Sequence, residues 1–83
     1  MSYNITFSKS VANTIIKFDR PTRERIYKAL NNLPAGDIKK MKGQNNPPYF
    51  RLRIGDIRAL FIKDDYKKEI FVFELNPRGD IYG

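Results

Sequence analysis

Three arginines in eight residues, Arg51, Arg53 and Arg58, are the first chemically suggestive feature of this chain. They lie in Tyr49 to Phe61, YFRLRIGDIRALF, where Phe50, Leu52 and Ile54 alternate with Tyr49, Arg51 and Arg53. Period two is the mark of a strand with one buried face. Gly55-Asp56 interrupts the run, and glycine at the first central position signals a two-residue hairpin turn. The spacing then predicts that Ile54 faces Ile57, Arg53 faces Arg58, Leu52 faces Ala59 and Phe50 faces Phe61. Phe50, Leu52, Ile54, Ile57, Ala59 and Phe61 fall on one face, and Arg51, Arg53 and Arg58 fall on the other. Two arginines directly across an antiparallel pair repel each other. An anion bound there would remove that cost, and phosphate suits clustered guanidinium forks. Without a ligand, the same residues read as a solvated face paired to carboxylates elsewhere.

The charge balance points the same way. Sixteen basic and nine acidic residues give a net charge of +7. Residues 38–62 hold six of the basic residues and one acidic residue; residues 63–83 hold four and five. The excess therefore sits in and just before the central hairpin. Such a patch favours a polyanion, either nucleic acid or an acidic protein. The chain has no cysteine and no histidine. That removes thiolate chemistry, disulfides, the usual general base and the commonest metal ligand. No P-loop, zinc spacing or Ser/His/Asp set is present, and no metal or cofactor is expected. No apolar run approaches a membrane span, and the N-terminus lacks a signal-peptide layout, so the expected location is cytoplasmic.

The elements that must carry these residues read as one domain over residues 1–83. Tyr3 to Phe7 alternates as a short strand. Ser8 is a candidate N-cap for a helix to about Lys17, with Val11, Ala12, Ile15 and Phe18 at helical spacing and Ile16 outside. Pro21 suits the first turn of a second helix, running to about Asn32, whose stripe is Ile26, Ala29, Leu30 and Leu33. A short link makes the two a helical hairpin on the apolar face of the sheet. Ala35 to Pro48 reads as a long connection carrying Lys39, Lys40 and Lys42, either a solvated loop or a basic rim beside the arginines, with Ile38 and Met41 tacking it to the core. Asp64 to Lys68 is a polar turn. Glu69 to Leu75 is a strand whose alternation puts Phe71, Phe73 and Leu75 on one face and Ile70, Val72 and Glu74 on the other. Arg78 and Tyr82 stand in the tail after Asn76-Pro77. Tyr49, on the basic face, could stack on a base or pack against the loop.

This order of strand, two helices, long basic segment, RxRxGDxR hairpin, strand and R-x-x-x-Y tail resembles the RelE/ParE superfamily of type II toxins. The likeness is greatest to the RelE-type mRNA endoribonucleases. It implies an α+β fold: an N-terminal strand and helical hairpin packed on one face of a twisted, mostly antiparallel sheet. It implies cleavage of mRNA on the ribosome, and a cognate RelB-like antitoxin, acidic and folding on binding, in a hetero-oligomer. The resemblance matches Arg51, Arg53, Arg58, Arg78 and Tyr82 to the family's basic and aromatic positions. Arg58, Arg78 and Tyr82 are then the candidates for catalysis, and Arg51 and Arg53, with Lys39, Lys40, Lys42 and Tyr49 beside them, the candidates for binding RNA phosphates or bases. Many relatives carry Gly-His before the tail arginine, where this chain has Asn76-Pro77. RNA cleaves without metal when its 2′-OH attacks the adjacent phosphorus; the protein must orient the atoms, stabilise charge and move protons. The other readings are a ParE-type toxin that binds DNA gyrase, and a basic binding module of the same fold without catalysis.

Overall fold

The computed structural model describes residues 3–45 and 48–76. Its elements are β1 (Asn4–Phe7), α1 (Lys9–Ile15), α2 (Arg20–Asn31), β2 (Asp37–Asn45), β3 (Pro48–Ile54), β4 (Ile57–Asp64) and β5 (Glu69–Asn76). They form one five-stranded sheet in the order β1-β5-β4-β3-β2. Strands β2 to β5 are an antiparallel meander, and β1 returns to pair with β5 in parallel.

Both helices begin at the expected residues. The Ser8 side chain accepts the Val11 N–H at 3.1 Å and so caps α1. Asp19 precedes α2, and Pro21 occupies its first turn, where a missing N–H costs nothing. Val11 and Ile15 of α1 and Ile26 and Leu30 of α2 are fully buried. They meet Leu52, Ile54, Ile57, Ala59, Phe61, Ile70, Val72 and Leu75 from the sheet in one apolar core. Ile16, on the outer side of α1, is 60% exposed. The helices thus cover one face and leave the other open. No helix among the described residues is long and apolar enough to cross a membrane.

The central hairpin has the expected register. Ile54 faces Ile57, Arg53 faces Arg58, Leu52 faces Ala59 and Phe50 faces Phe61. Gly55 takes φ +61°, the left-handed value that a two-residue turn of this kind needs at its first position.

Two expectations are corrected. Residues 35–48 are not a long connection: most of them form β2, which pairs Asp37 with Arg53, Ile38 with Leu52, Lys39 with Arg51 and Lys40 with Phe50. Lysine, glycine, glutamine and asparagine favour strands weakly, but the open backbone edge of β3 and a core seat for Ile38 override that preference. The face assignment of β5 also fails in part. Its register shifts between Leu60, which faces Glu74, and Phe61, which faces Val72. The extra residue resets the alternation. Ile70, Val72 and Leu75 therefore point into the core, while Phe71 stays outside at 38% exposed.

Candidate functional site

Residues directly opposite in a ladder share a face, so the register lays out the open face of the sheet rung by rung. The rung nearest the Gly55 turn reads Asp37, Arg53, Arg58, Asn76 across β2 to β5. The next reads Lys39, Arg51, Leu60, Glu74. Beyond it Tyr49 faces Ile62, which faces Phe71, and at the far end Asp64 faces Glu69. The open face is basic at the Gly55 end, aromatic in the middle and acidic at the other end.

The opposed arginines are drawn apart. Arg53 Nε lies 3.8 Å from the Asp37 carboxylate across β2. That pair is more than half exposed on both sides, so it is worth about 0–1 kcal/mol. Arg58 turns the other way, and its Nη1 donates to the Gly55 carbonyl at 3.3 Å. The Nε groups of Arg51 and Arg58 are shut off from solvent with no acceptor. An unmatched buried donor costs about 1–3 kcal/mol. Arg51 and Arg58 are thus half-buried guanidinium groups with no carboxylate ion pair among the described residues. Arginine stays charged throughout the physiological range, so this end of the face carries a standing positive charge.

Lys39 lies on the arginine face, beside Arg51. Lys40 does not: it faces Phe50 and so projects to the opposite side of the sheet. Alternation within an unforeseen strand separates the two lysines, which a loop could have kept together. Lys42 is in β2, with its side chain outside the described residues. Tyr49 is on the arginine face, and its ring meets Phe73 edge-on at 5.6 Å. Arg78 and Tyr82 lie outside the described residues.

Two residues were missed. Asp37, inside the segment read as a loop, reaches Arg53. Arg25 of α2 sits against the hairpin turn, so that a Cβ added to Gly55 would collide with its Nη2. No local sequence signal links positions 25 and 55. The open face also holds a groove of about 350 Å³ at its acidic end, lined by Ile62, Lys63, Asp64, Asp65, Glu69 and Phe71. It is away from the arginines. Asp64 there accepts the Lys67 N–H at 3.0 Å, and Asp65 accepts the Tyr3 hydroxyl at 2.6 Å and lies 3.6 Å from Lys63 Nζ.

No family model matches the sequence, and no curated protein matches it. Solved structures do match the fold. A chain of the archaeal RelE–RelB complex from Pyrococcus horikoshii OT3 superposes with a TM-score of 0.79 at 24% identity, over 96% of this chain and 99% of that one. A chain of the toxin–antitoxin complex RelBE2 from Mycobacterium tuberculosis gives 0.76 at 15% identity, over 92% and 98%. Toxin RelE from E. coli, solved in the free state as a double-arginine mutant, gives 0.65 at 20% identity, over 99% and 88%. At such identities the likeness is one of architecture, and it covers nearly the full length of each chain: this protein has the α+β fold of the RelE-type toxins of the RelE/ParE superfamily.

Proposed function

We propose that this chain is the toxin of a type II toxin–antitoxin pair and that it cleaves mRNA on the ribosome without a metal ion. The observation that carries this reading is the arginine rung. A sheet that places Arg53 directly opposite Arg58, and Arg51 one rung away, concentrates positive charge where repulsion opposes folding. Phosphate relieves that repulsion, and guanidinium forks match its oxygens. The matches to toxin–antitoxin complexes support the biological setting.

In this reading the substrate 2′-OH attacks the neighbouring phosphorus and the 5′-oxygen leaves. Arg58 stabilises the negative charge that builds on the phosphoryl oxygens. Arg78 shares that task; it follows Asn76, the strand residue opposite Arg58, by two positions in sequence. Tyr82, the aromatic residue that the family resemblance puts near the end of the chain, carries the proton transfer. Arg51, Arg53 and Lys39 hold flanking phosphates, and Tyr49 offers a ring to a base. Lys40, on the far side of the sheet, is left with no contact to that RNA. The partner is an acidic RelB-like segment that folds over the basic face and blocks it. The site of action is the cytoplasm, where mRNA is translated.

The test is cleavage of mRNA on programmed ribosomes by the purified protein, with DNA supercoiling by gyrase measured in parallel. The expected result is cut mRNA and unaffected gyrase. Arg58→Ala with Arg78→Ala should abolish cutting while the melting transition stays cooperative. Full cutting by that double variant would remove the assigned site. Inhibited supercoiling with intact mRNA would replace the ribonuclease with a gyrase-binding toxin, and inertness in both assays would leave a binding module.

A further inference from the structure

The open face has an electrical polarity that constrains how an RNA strand can cross it. Asp64 and Glu69 face each other at one end, with Asp65 next to them. Arg53 and Arg58 face each other at the other. Arg58 and Asp64 are six residues apart on β4, about 20 Å at the usual rise per strand residue. That is roughly two Debye lengths at physiological salt, so the acidic end leaves the arginines' charge largely intact. It would still repel any phosphate lying directly over it. A strand held by Arg51 and Arg58 is therefore steered away from the acidic end, and the Gly55 turn is an exit that carries a further cation.

At that end stands a cation from the other side of the sheet. Arg25 is exposed on α2, and its guanidinium lies against the Cα of Gly55. Its Cζ is 3.7 Å from the position a Cβ would take there. The same glycine accepts the Arg58 Nη1 bond through its carbonyl. One residue without a side chain thus has a guanidinium on either flank. The ion pairs among the described residues are Arg20–Glu24, Arg53–Asp37 and Lys63–Asp65; Arg25 belongs to none of them, although Asp56 follows Gly55 in the turn.

We propose that Arg25 is a phosphate-binding residue, and that single-stranded RNA passes from the Arg51–Arg58 face beside Gly55 to reach it, the guanidinium groups on the two flanks of Gly55 outweighing the single carboxylate of Asp56. The inference rests on the RNA-binding reading above and adds the direction of the track and a contact supplied by α2. Gly55 is then required twice, for its left-handed φ and for the space that lets Arg25 reach the turn.

The test is binding of a short fluorescein-labelled single-stranded RNA oligonucleotide, followed by anisotropy over a series of KCl concentrations. Each phosphate contact on a single strand contributes about 0.7 to the slope of log affinity against log salt. Arg25→Gln is expected to lower that slope by roughly 0.7, and Arg25→Lys to keep it, because lysine retains the charge. Lys67→Gln, at the acidic end, is expected to leave it unchanged. Among the described residues Arg25 is in no hydrogen bond or ion pair, so each variant should melt as the parent does. An unchanged slope in Arg25→Gln beside a lowered one in Arg58→Gln would overturn the proposal and keep the RNA reading. A slope lowered by Lys67→Gln but not by Arg25→Gln would reverse the track. Absence of salt-dependent binding by the parent protein would remove both the RNA reading and this extension of it.

Discussion

Strand β4 runs between two like-charged pairs, and their surroundings differ. At its start Arg58 faces Arg53; at its end Asp64 faces Glu69. Both pairs repel, by a fraction of a kcal/mol to about 1 kcal/mol. The acidic pair has a local structural explanation. Asp64 caps the turn that joins β4 to β5, and its neighbour Asp65 ties that turn to β1 through Tyr3. The arginine pair has only part of one. Asp37 reaches Arg53 at 3.8 Å, and Arg58 has a carbonyl at 3.3 Å, while the Nε groups of Arg51 and Arg58 have no acceptor. Repulsion that the fold uses to close a turn needs no ligand. Repulsion that the fold leaves standing, with buried donors unmatched among the described residues, has no such local use, and the proposed phosphate contact would supply one.

The largest effect that separates the two ends is catalytic. Removing a donor aimed at developing charge typically costs a factor of about 100–1,000 in rate. Arg58→Ala should lose that much mRNA cleavage on programmed ribosomes. Glu69→Gln should stay within about twofold of the parent, since an exposed carboxylate away from the arginines touches no reacting atom. Equal losses in both variants would mean that the two ends act as one surface, and the comparison would fail.

The two turns differ as well, and the difference is one of stability. Gly55 at φ +61° and Lys68 at φ +55° both occupy the left-handed region. A side chain there costs about 1–2 kcal/mol. Gly55→Ala carries that cost and also drives Arg25 aside, so urea denaturation should show a loss of about 1–3 kcal/mol. Adding Arg25→Ala should recover the collision and leave the backbone strain. Lys68→Gly should change stability by less than about 1 kcal/mol. It relieves strain, but it loosens the unfolded chain and gives up the Lys68 ammonium 5.3 Å from the Tyr3 ring centroid, worth roughly 0.5–1 kcal/mol.

How far such features were legible from the residues depends on whether their cause is local. The β3–β4 register could be read because period two and a Gly-Asp turn leave one pairing that puts Phe50, Leu52, Ile54, Ile57, Ala59 and Phe61 on one face. Both helices could be read from a serine cap, a proline and their apolar stripes. Strand β2 could not, because its residues are poor strand formers and its stability comes from β3's edge. The bulge in β5 could not either, since one extra residue leaves no mark in a run of seven strand-like ones. Within the site, the arginine rung was legible because it lies inside the hairpin. The separation of Lys39 from Lys40, the reach of Asp37 and the seat of Arg25 beside Gly55 all depend on contacts distant in sequence. The acidic rung was hidden for another reason: β4 extends to Asp64, and its pairing with Glu69 follows only once the turn between them is fixed.

The smallest expected effect concerns pH and belongs to the acidic end. The Tyr3 hydroxyl donates to Asp65, and chiefly for that reason, with Lys63 and Lys68 assisting, the Asp65 carboxyl is held below its ordinary value. The same bond pushes the Tyr3 hydroxyl above its own. The signs run in opposite directions. The carboxylate's contribution to stability is fully present above the unfolded-state pKa of about 3.9 and is lost as pH falls through the lower folded value. The hydroxyl's contribution is fully present below about 10 and is lost as pH rises through the higher folded value. Tyr3→Phe should therefore flatten both the acid and the alkaline limbs of a melting-temperature profile while leaving its neutral region nearly level. Both groups are exposed, so the change should be small and should shrink further in added salt. A Tyr3→Phe profile that overlays the parent's at both limbs would show that the Tyr3–Asp65 bond does not steady the acidic end, and that the repulsion there is left standing as it is between the arginines.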